Sequence, residues 1–289
     1  MLRAFIRVLF LLLIPAAATA QPFETIGVRA LGMGGAFVGV ADDASAIWWN
    51  PAGLATGGLF SMAVDYESLN DEWSGAGIFT ATPPLGLGYV RTSLEGLVTH
   101  QAGITILHTF ADGFTVGASL KFVRGLASLT PDDDSLGRTT NSFDLDTGAL
   151  YIRGPWRAGF TVRNIVEPHF DTVNETPLRL ERMARAGVAW LEGDWTVAVD
   201  VDVTRSSSSP LVDAPEGRRM LAAGTEWRWG RRLAARGGLR FNTAGDERAP
   251  VATGGFGIAV WGSVWVDAQV TGGADAGDRG WGLAGRVHF

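Results

Sequence analysis

Cysteine is absent from this chain. That excludes a disulfide framework, thiolate catalysis and any cysteine-ligated metal. Lysine is almost absent too: Lys121 is the only one, so the basic residues are otherwise arginines. The net charge is −6, which argues against a nucleic-acid partner, since such partners require a basic face. Two further absences matter. Helical periodicity is nearly missing from the chain, and beyond residue 20 no stretch is long and apolar enough for a transmembrane helix, which needs roughly 20 residues. What is abundant is glycine (39 residues) and tryptophan (11), in a chain of positive mean hydropathy.

The first twenty residues read as an export leader. Arg3 and Arg7 precede an apolar run over Val8–Ile14, Pro15 breaks it, and Ala18-Thr19-Ala20 offers the small-x-small cleavage pattern. Residues 1–20 are therefore predicted to be removed, with the mature chain starting at Gln21. Export permits disulfides without requiring them, so the missing cysteines do not contradict it.

The remainder alternates. From Trp195 the odd positions are Trp195, Val197, Val199, Val201 and Val203, and the even ones are Thr196, Ala198, Asp200, Asp202 and Thr204. A period of two with one wholly apolar face marks a strand. Arg232–Phe241 and Trp281–Phe289 repeat the pattern. In a soluble sandwich the apolar face looks inward and tryptophans sit near strand centres. Here Trp73, Trp156, Trp190, Trp195, Trp227, Trp229, Trp261 and Trp281 fall at or near strand ends, as the aromatic girdles of a membrane barrel require.

Strands are predicted near 58–67, 73–82, 85–94, 97–110, 114–126, 140–152, 156–166, 178–191, 195–205, 218–229, 232–242, 250–260, 263–271 and 280–289. Their even number allows antiparallel closure with both termini on one side, and closure leaves no unpaired edge in lipid. Turn chemistry at Pro83-Pro84, Asp112-Gly113, Gly154-Pro155, Glu192-Gly193-Asp194, Gly230 and Trp261-Gly262 marks the periplasmic connections. The alternate connections are longer, save the one at Glu95-Gly96. His100 and His108 fall on the face of Ile104, Ile106 and Phe110, which predicts a bulge or a changed register in that strand. An arginine facing lipid at midplane costs roughly 2–4 kcal/mol. The charged face is thus expected to line the lumen: Asp144, Asp146, Arg157, Arg163, Asp200, Asp202, Arg232, Arg236, Arg240, Asp267 and Arg286. Cross-strand ion pairing is their simplest role, and ion selectivity is the alternative.

Residues 21–57 do not alternate and are rich in glycine and alanine, as a segment filling a barrel would be. The Gly32–Gly35 cluster lacks the surrounding strand–turn–helix unit of a dinucleotide loop, and Phe37 occupies the third glycine position. Asp42 and Asp43 are predicted to cap a short helix over 44–49 rather than to act as paired catalytic acids.

The stretch RALGMGGAFVGVADDASAIWWNPAGLA (Arg29–Ala55) resembles the N-terminal signature of the FadL and PorV/PorQ superfamily of outer-membrane β-barrels. Gly159–Phe170, Leu178–Trp190 and Ala222–Phe241 resemble the PorV-type barrel. The resemblance implies an all-β, fourteen-stranded transmembrane barrel, with a leader (1–20), an N-terminal hatch (21–57) and the barrel itself (58–289). By the same analogy Asn50, Pro51 and Ala52 match an NPA motif, Phe37, Trp48 and Trp49 are pocket candidates, and the terminal Phe289 resembles the signal read by barrel-assembly machinery. The implied function is passage of hydrophobic small molecules such as fatty acids across the outer membrane. The alternative is docking of proteins in a type IX-like secretion apparatus, through loops such as Pro131–Ser135 or Ser206–Pro210. Catalysis is not expected. His100, His108, His169 and His288 lack metal-ligand spacing, no Gly-x-Ser-x-Gly elbow is present, and no cofactor or metal is implied. Acidic Asp132-Asp133-Asp134 reads as solvated loop.

Overall fold

A computed structural model describes residues 26–70, 73–94, 97–127, 138–170, 178–207, 217–230, 232–244, 249–274 and 278–289. The leader, the Glu95-Gly96 connection, Asp132-Asp133-Asp134 and the Pro131–Ser135 loop lie outside the described residues.

The strands run β1 (Ser61–Leu69), β2 (Trp73–Thr82), β3 (Leu85–Leu94), β4 (Leu97–Ala111), β5 (Phe114–Ala127), β6 (Arg138–Arg153) and β7 (Trp156–Arg163). After the two-residue strands β8 (His169–Phe170) and β9 (Leu178–Arg179) come β10 (Met183–Glu192) and β11 (Trp195–Asp202). A second short pair, β12 (Ser206–Ser207) and β13 (Gly217–Arg218), precedes β14 (Met220–Trp229), β15 (Leu233–Asn242), β16 (Val251–Trp261), β17 (Val264–Gly272) and β18 (Gly280–His288). The fourteen longer strands form one closed antiparallel barrel, sealed where Ser61 pairs with His288 and Leu69 with Gly280. Closure satisfies the ladder without an edge, which lipid would not tolerate.

The predicted boundaries agree with these strands to within a few residues in nearly every case. The main exception is 178–191: the barrel strand begins at Met183, because residues 178–179 leave the wall to pair with His169 and Phe170. Along one rim Gly113, Gly154, Gly193, Gly230 and Gly262 all have φ between 52° and 78°, the left-handed region where glycine meets no Cβ penalty. These are the short turns predicted for the periplasmic side.

Burial alternates along many of the strands and strictly along β11, where each valine faces out and each acid or small residue faces in. The exterior is the apolar face, with residues such as Val199, Leu120 and Ile104 about half exposed, while aspartates and arginines are buried inside. That polarity is inverted relative to a soluble sandwich and is that of a transmembrane barrel. Trp156, Trp195, Trp227, Trp229 and Trp261 are exposed at the short-turn rim, with Trp195, Trp227 and Trp229 stacked in a row. Trp281 packs on Tyr66 nearer the opposite rim. Trp73 departs from the girdle expectation: it points inward and is buried. His100 and His108 do face outward, so strand β4 keeps its phase through both. His100 meets the Tyr89 hydroxyl and His108 meets Phe110 edge-on. The only register shift in this strand's pairing with β5 comes later, between Thr109 and Ala111.

Candidate functional site

The lumen is filled in its lower part by residues 26–57. This segment forms α1 (Val28–Gly32), α2 (Ala46–Trp49) and a 3-10 turn (Pro51–Thr56). Nearly all of residues 26–54 are buried. Such short helices are marginal alone, so the wall must hold them. It does so with inward carboxylates that accept from the segment's backbone. Glu67 accepts from the Gly27 N–H (2.7 Å), Asp65 from Val28 (3.0 Å), and Asp200 from both Phe37 and Val38 (2.8 Å each).

Arg29 is the ionic centre. It donates to Glu226 through Nε (2.8 Å) and Nη2 (2.9 Å) and pairs with Asp42 and Asp43. Glu226 also receives Arg236 (2.6 Å) and Arg228 (2.9 Å), and Asp267 receives Arg236 and Arg286 (2.6 Å each). Burial alone would push the Asp43 carboxyl up, but the guanidinium groups of Arg29 and Arg286 outweigh it and hold the group below the usual carboxylate range. The two acids therefore do not cap a helix over 44–49 in the predicted way. The helix is shorter, Asp42 is taken up by Arg29, and Asp43, besides pairing with Arg29, accepts from the Ser45 N–H in the turn before it.

The Asn50-Pro51-Ala52 step has a local physical explanation. Asn50 Oδ1 accepts from Ala52 N–H (3.2 Å), capping the 3-10 turn, with Pro51 at its first position. Its Nδ2 donates to Val38 O (2.9 Å) and to Ala149 O in the wall (3.1 Å). The approach is close enough that a Cβ at Gly148 would overlap Asn50 Oδ1.

Phe37, Trp48 and Trp49, expected to line a ligand pocket, are instead packed into the core. Phe37 meets Trp49 edge-on at 6.0 Å, Trp49 Nε1 donates to Ile26 O, and the Arg163 guanidinium stacks 3.6 Å above the Trp48 ring. A cavity of about 210 Å³ opens elsewhere, beside the rim of short turns, lined among others by Arg29, Asp42, Asp43, Arg228, Arg236 and Arg286. Its walls are charged, unlike the apolar pocket expected, and none of the three aromatic residues reaches it.

The expected luminal charges are placed as follows. Asp144, Asp146, Arg163, Asp200, Asp202, Arg236, Arg240, Asp267 and Arg286 are buried inside, and half-buried Arg157 donates to Val40 O (3.0 Å). Arg232 lies in the turn before β15 and is exposed, so the lumen assignment does not extend to it. Arg29, Glu226, Lys121, Asp65, Glu67 and Arg185 were not singled out by sequence reasoning. For Glu226 a signal existed, since it shares the inward phase of Ala222 and Gly224. For Arg29 none did, because its segment has no period.

The outer mouth is built differently. Lys121 bridges Asp144 (2.8 Å) and Asp146 (2.7 Å), and after Arg163 the chain turns inward through Asn164 and Glu167, both at positive φ. The short β8 and β9 strands pair there, and Phe170 is buried against Leu97, Val123 and Leu180. Its ring lies on Gly125, where a Cβ would overlap it.

No curated protein matches the chain. A family model described as "F plasmid transfer operon, TraF, protein" matches residues 92–202, less than half of it. Solved structures match nearly end to end. The CymD monoaromatic hydrocarbon channel is similar at 14% identity and TM-score 0.68, over 93% of this chain and 99% of that one. The toluene transporter TodX of Pseudomonas putida gives 11% and 0.70, over 93% and 99%. A Pseudomonas aeruginosa FadL homologue gives 12% and 0.65, over 94% and 100%. At these identities the likeness is one of fold, and the chain has the fourteen-stranded barrel fold that FadL-like outer-membrane proteins share.

Proposed function

We propose that this protein passes hydrophobic small molecules across the outer membrane. The observation that carries the reading is the end-to-end likeness to hydrocarbon channels. In support, the exterior is apolar enough to stand in lipid, and many of the buried charges are paired inside the barrel. On this reading residues 1–20 direct export, 21–57 act as the hatch, 58–289 form the barrel, and Phe289 serves the assembly machinery. The hatch fills the lower lumen, so passage requires either the hatch or the mouth hairpin to move. The chemistry is transport and not catalysis.

The test is uptake of toluene and of a long-chain fatty acid into vesicles carrying the purified barrel, against empty vesicles. Faster entry of either solute supports the reading. Entry no faster than through protein-free lipid for both would overturn it.

A further inference from the structure

Two arginines and a histidine stand side by side on the outer wall. In the pairing register Arg91 is opposite His100, and His100 is opposite Arg124, on the adjacent strands β3, β4 and β5. All three lie on the outward face, and both arginines are exposed. Inside the barrel the same residue type is handled with care: Arg29, Arg236 and Arg286 each meet carboxylates. Among the described residues no carboxylate neighbours the three on the outer row, and neither Arg91 nor Arg124 makes an ion pair.

Their height is informative. Two residues toward the periplasm on the same faces come Tyr89, Ala102 and Phe122, with Phe143 beside Phe122. Below them come Leu87, Ile104 and Leu120, each more than half exposed. Aromatic side chains mark the membrane interface, so the two guanidinium groups and the imidazole between them sit just beyond it, at the level of headgroup phosphates. The Tyr89 hydroxyl lies 2.7 Å from His100 Nδ1, tying the imidazole to the girdle beneath it. Guanidinium forks match phosphate oxygens in pairs, and two of them a strand apart on each side of one imidazole suit a headgroup with more than one phosphate.

We propose that Arg91, His100 and Arg124 bind the phosphates of a phosphorylated glycolipid of the outer leaflet, of the lipid A type. The proposal rests on the outer-membrane placement above and is independent of what the barrel transports. The missing anion of the row is then supplied by the membrane itself, which fixes the barrel's height and rotation in it.

The experiment uses the full barrel in phosphatidylcholine nanodiscs doped with bis-phosphorylated or dephosphorylated lipid A, with bound lipid counted by native mass spectrometry. The wild type should retain the phosphorylated form at least tenfold better. The pair Arg91→Gln and Arg124→Gln should remove that preference, whereas Arg153→Gln, exposed on the opposite rim, should keep it. Heat-modifiable gel migration checks that each variant is a folded barrel. An undiminished preference in the double variant, or equal retention of the two lipids by the wild type, would overturn the proposal. Failure to recover the barrel from outer-membrane fractions would instead count against the placement.

Discussion

The two ends of the lumen are closed by opposite means. On the side of the short turns and up the inner wall, the segment 26–57 is held by carboxylates from distant strands, by the Arg29–Glu226 fork and by backbone contacts that only glycine in the wall permits. At the outer end the closure is a hairpin with a two-residue ladder, an ion pair between partly exposed Arg182 and Glu167 at 3.8 Å, and one phenyl ring in an apolar seat. A partly exposed ion pair contributes little, about 0–1 kcal/mol. Buried ion networks behave otherwise, because removing one member strands the rest in a medium that cannot solvate them. The contrast teaches that the plug segment is held by a network of buried charges, while the outer hairpin is held by a short ladder and one apolar seat.

The largest effect expected from that difference is at Arg29. Arg29→Ala leaves Glu226, Asp42 and Asp43 without their shared cation, and should cost about 3–5 kcal/mol. Thermal unfolding in detergent would show it, together with new protease cleavage within residues 26–57. A melting point close to wild type would mean that the lower plug is not held by its charges.

Next comes Gly148→Ala, where the added Cβ overlaps Asn50 Oδ1. Overpacking of this kind costs about 1–3 kcal/mol. The same readout should fall by a smaller amount than for Arg29→Ala.

Phe170→Ala tests the outer end. If the hairpin opens on its own, the melting point should move by less than about 1 kcal/mol equivalent, the usual size of a change outside the cooperative core. Toluene entry into vesicles should nevertheless rise several-fold, because the phenyl ring no longer fills the seat on Gly125. A loss of stability as large as that from Arg29→Ala would erase the contrast between the two ends.

The smallest effect concerns acid. Asp43 has its folded value held below the usual carboxylate range, so its contribution is present above that range and is lost as pH falls through the folded value. Protease sensitivity of residues 26–57 should therefore increase on acidification from neutral pH toward pH ~3. The Asp43→Asn barrel should show a weaker dependence. Identical pH profiles would show that Asp43 adds nothing to the lower clamp.

Some of this was readable from the chain. The alternation along β11 decides which residues face lipid, and the observed burial follows it residue by residue. The turn glycines at 154, 193 and 230 mark one rim and with it the parity of the strands. Other readings needed the third dimension. Trp73 carries the same girdle signal as Trp281 but falls on the inward phase and packs into the core. Phe37, Trp48 and Trp49 look like pocket residues because aromatic side chains in a glycine-rich segment have no obvious partner. The partner of Trp48, Arg163, comes from a strand more than a hundred residues away, and Phe37 and Trp49 meet each other only once the segment is folded inside the wall.

By itself, then, the sequence determined the strands, their number and the face most strand residues take, because a period of two and turn chemistry are local properties of the backbone. Only the tertiary structure decided which luminal charges meet, where the cavity opens and what closes the outer mouth. Arg29 and Glu226 are 197 residues apart, and Phe170 reaches Gly125 only after two positive-φ residues turn the chain inward. Nothing local encodes those meetings: they arise when barrel closure brings distant inward faces together around one axis.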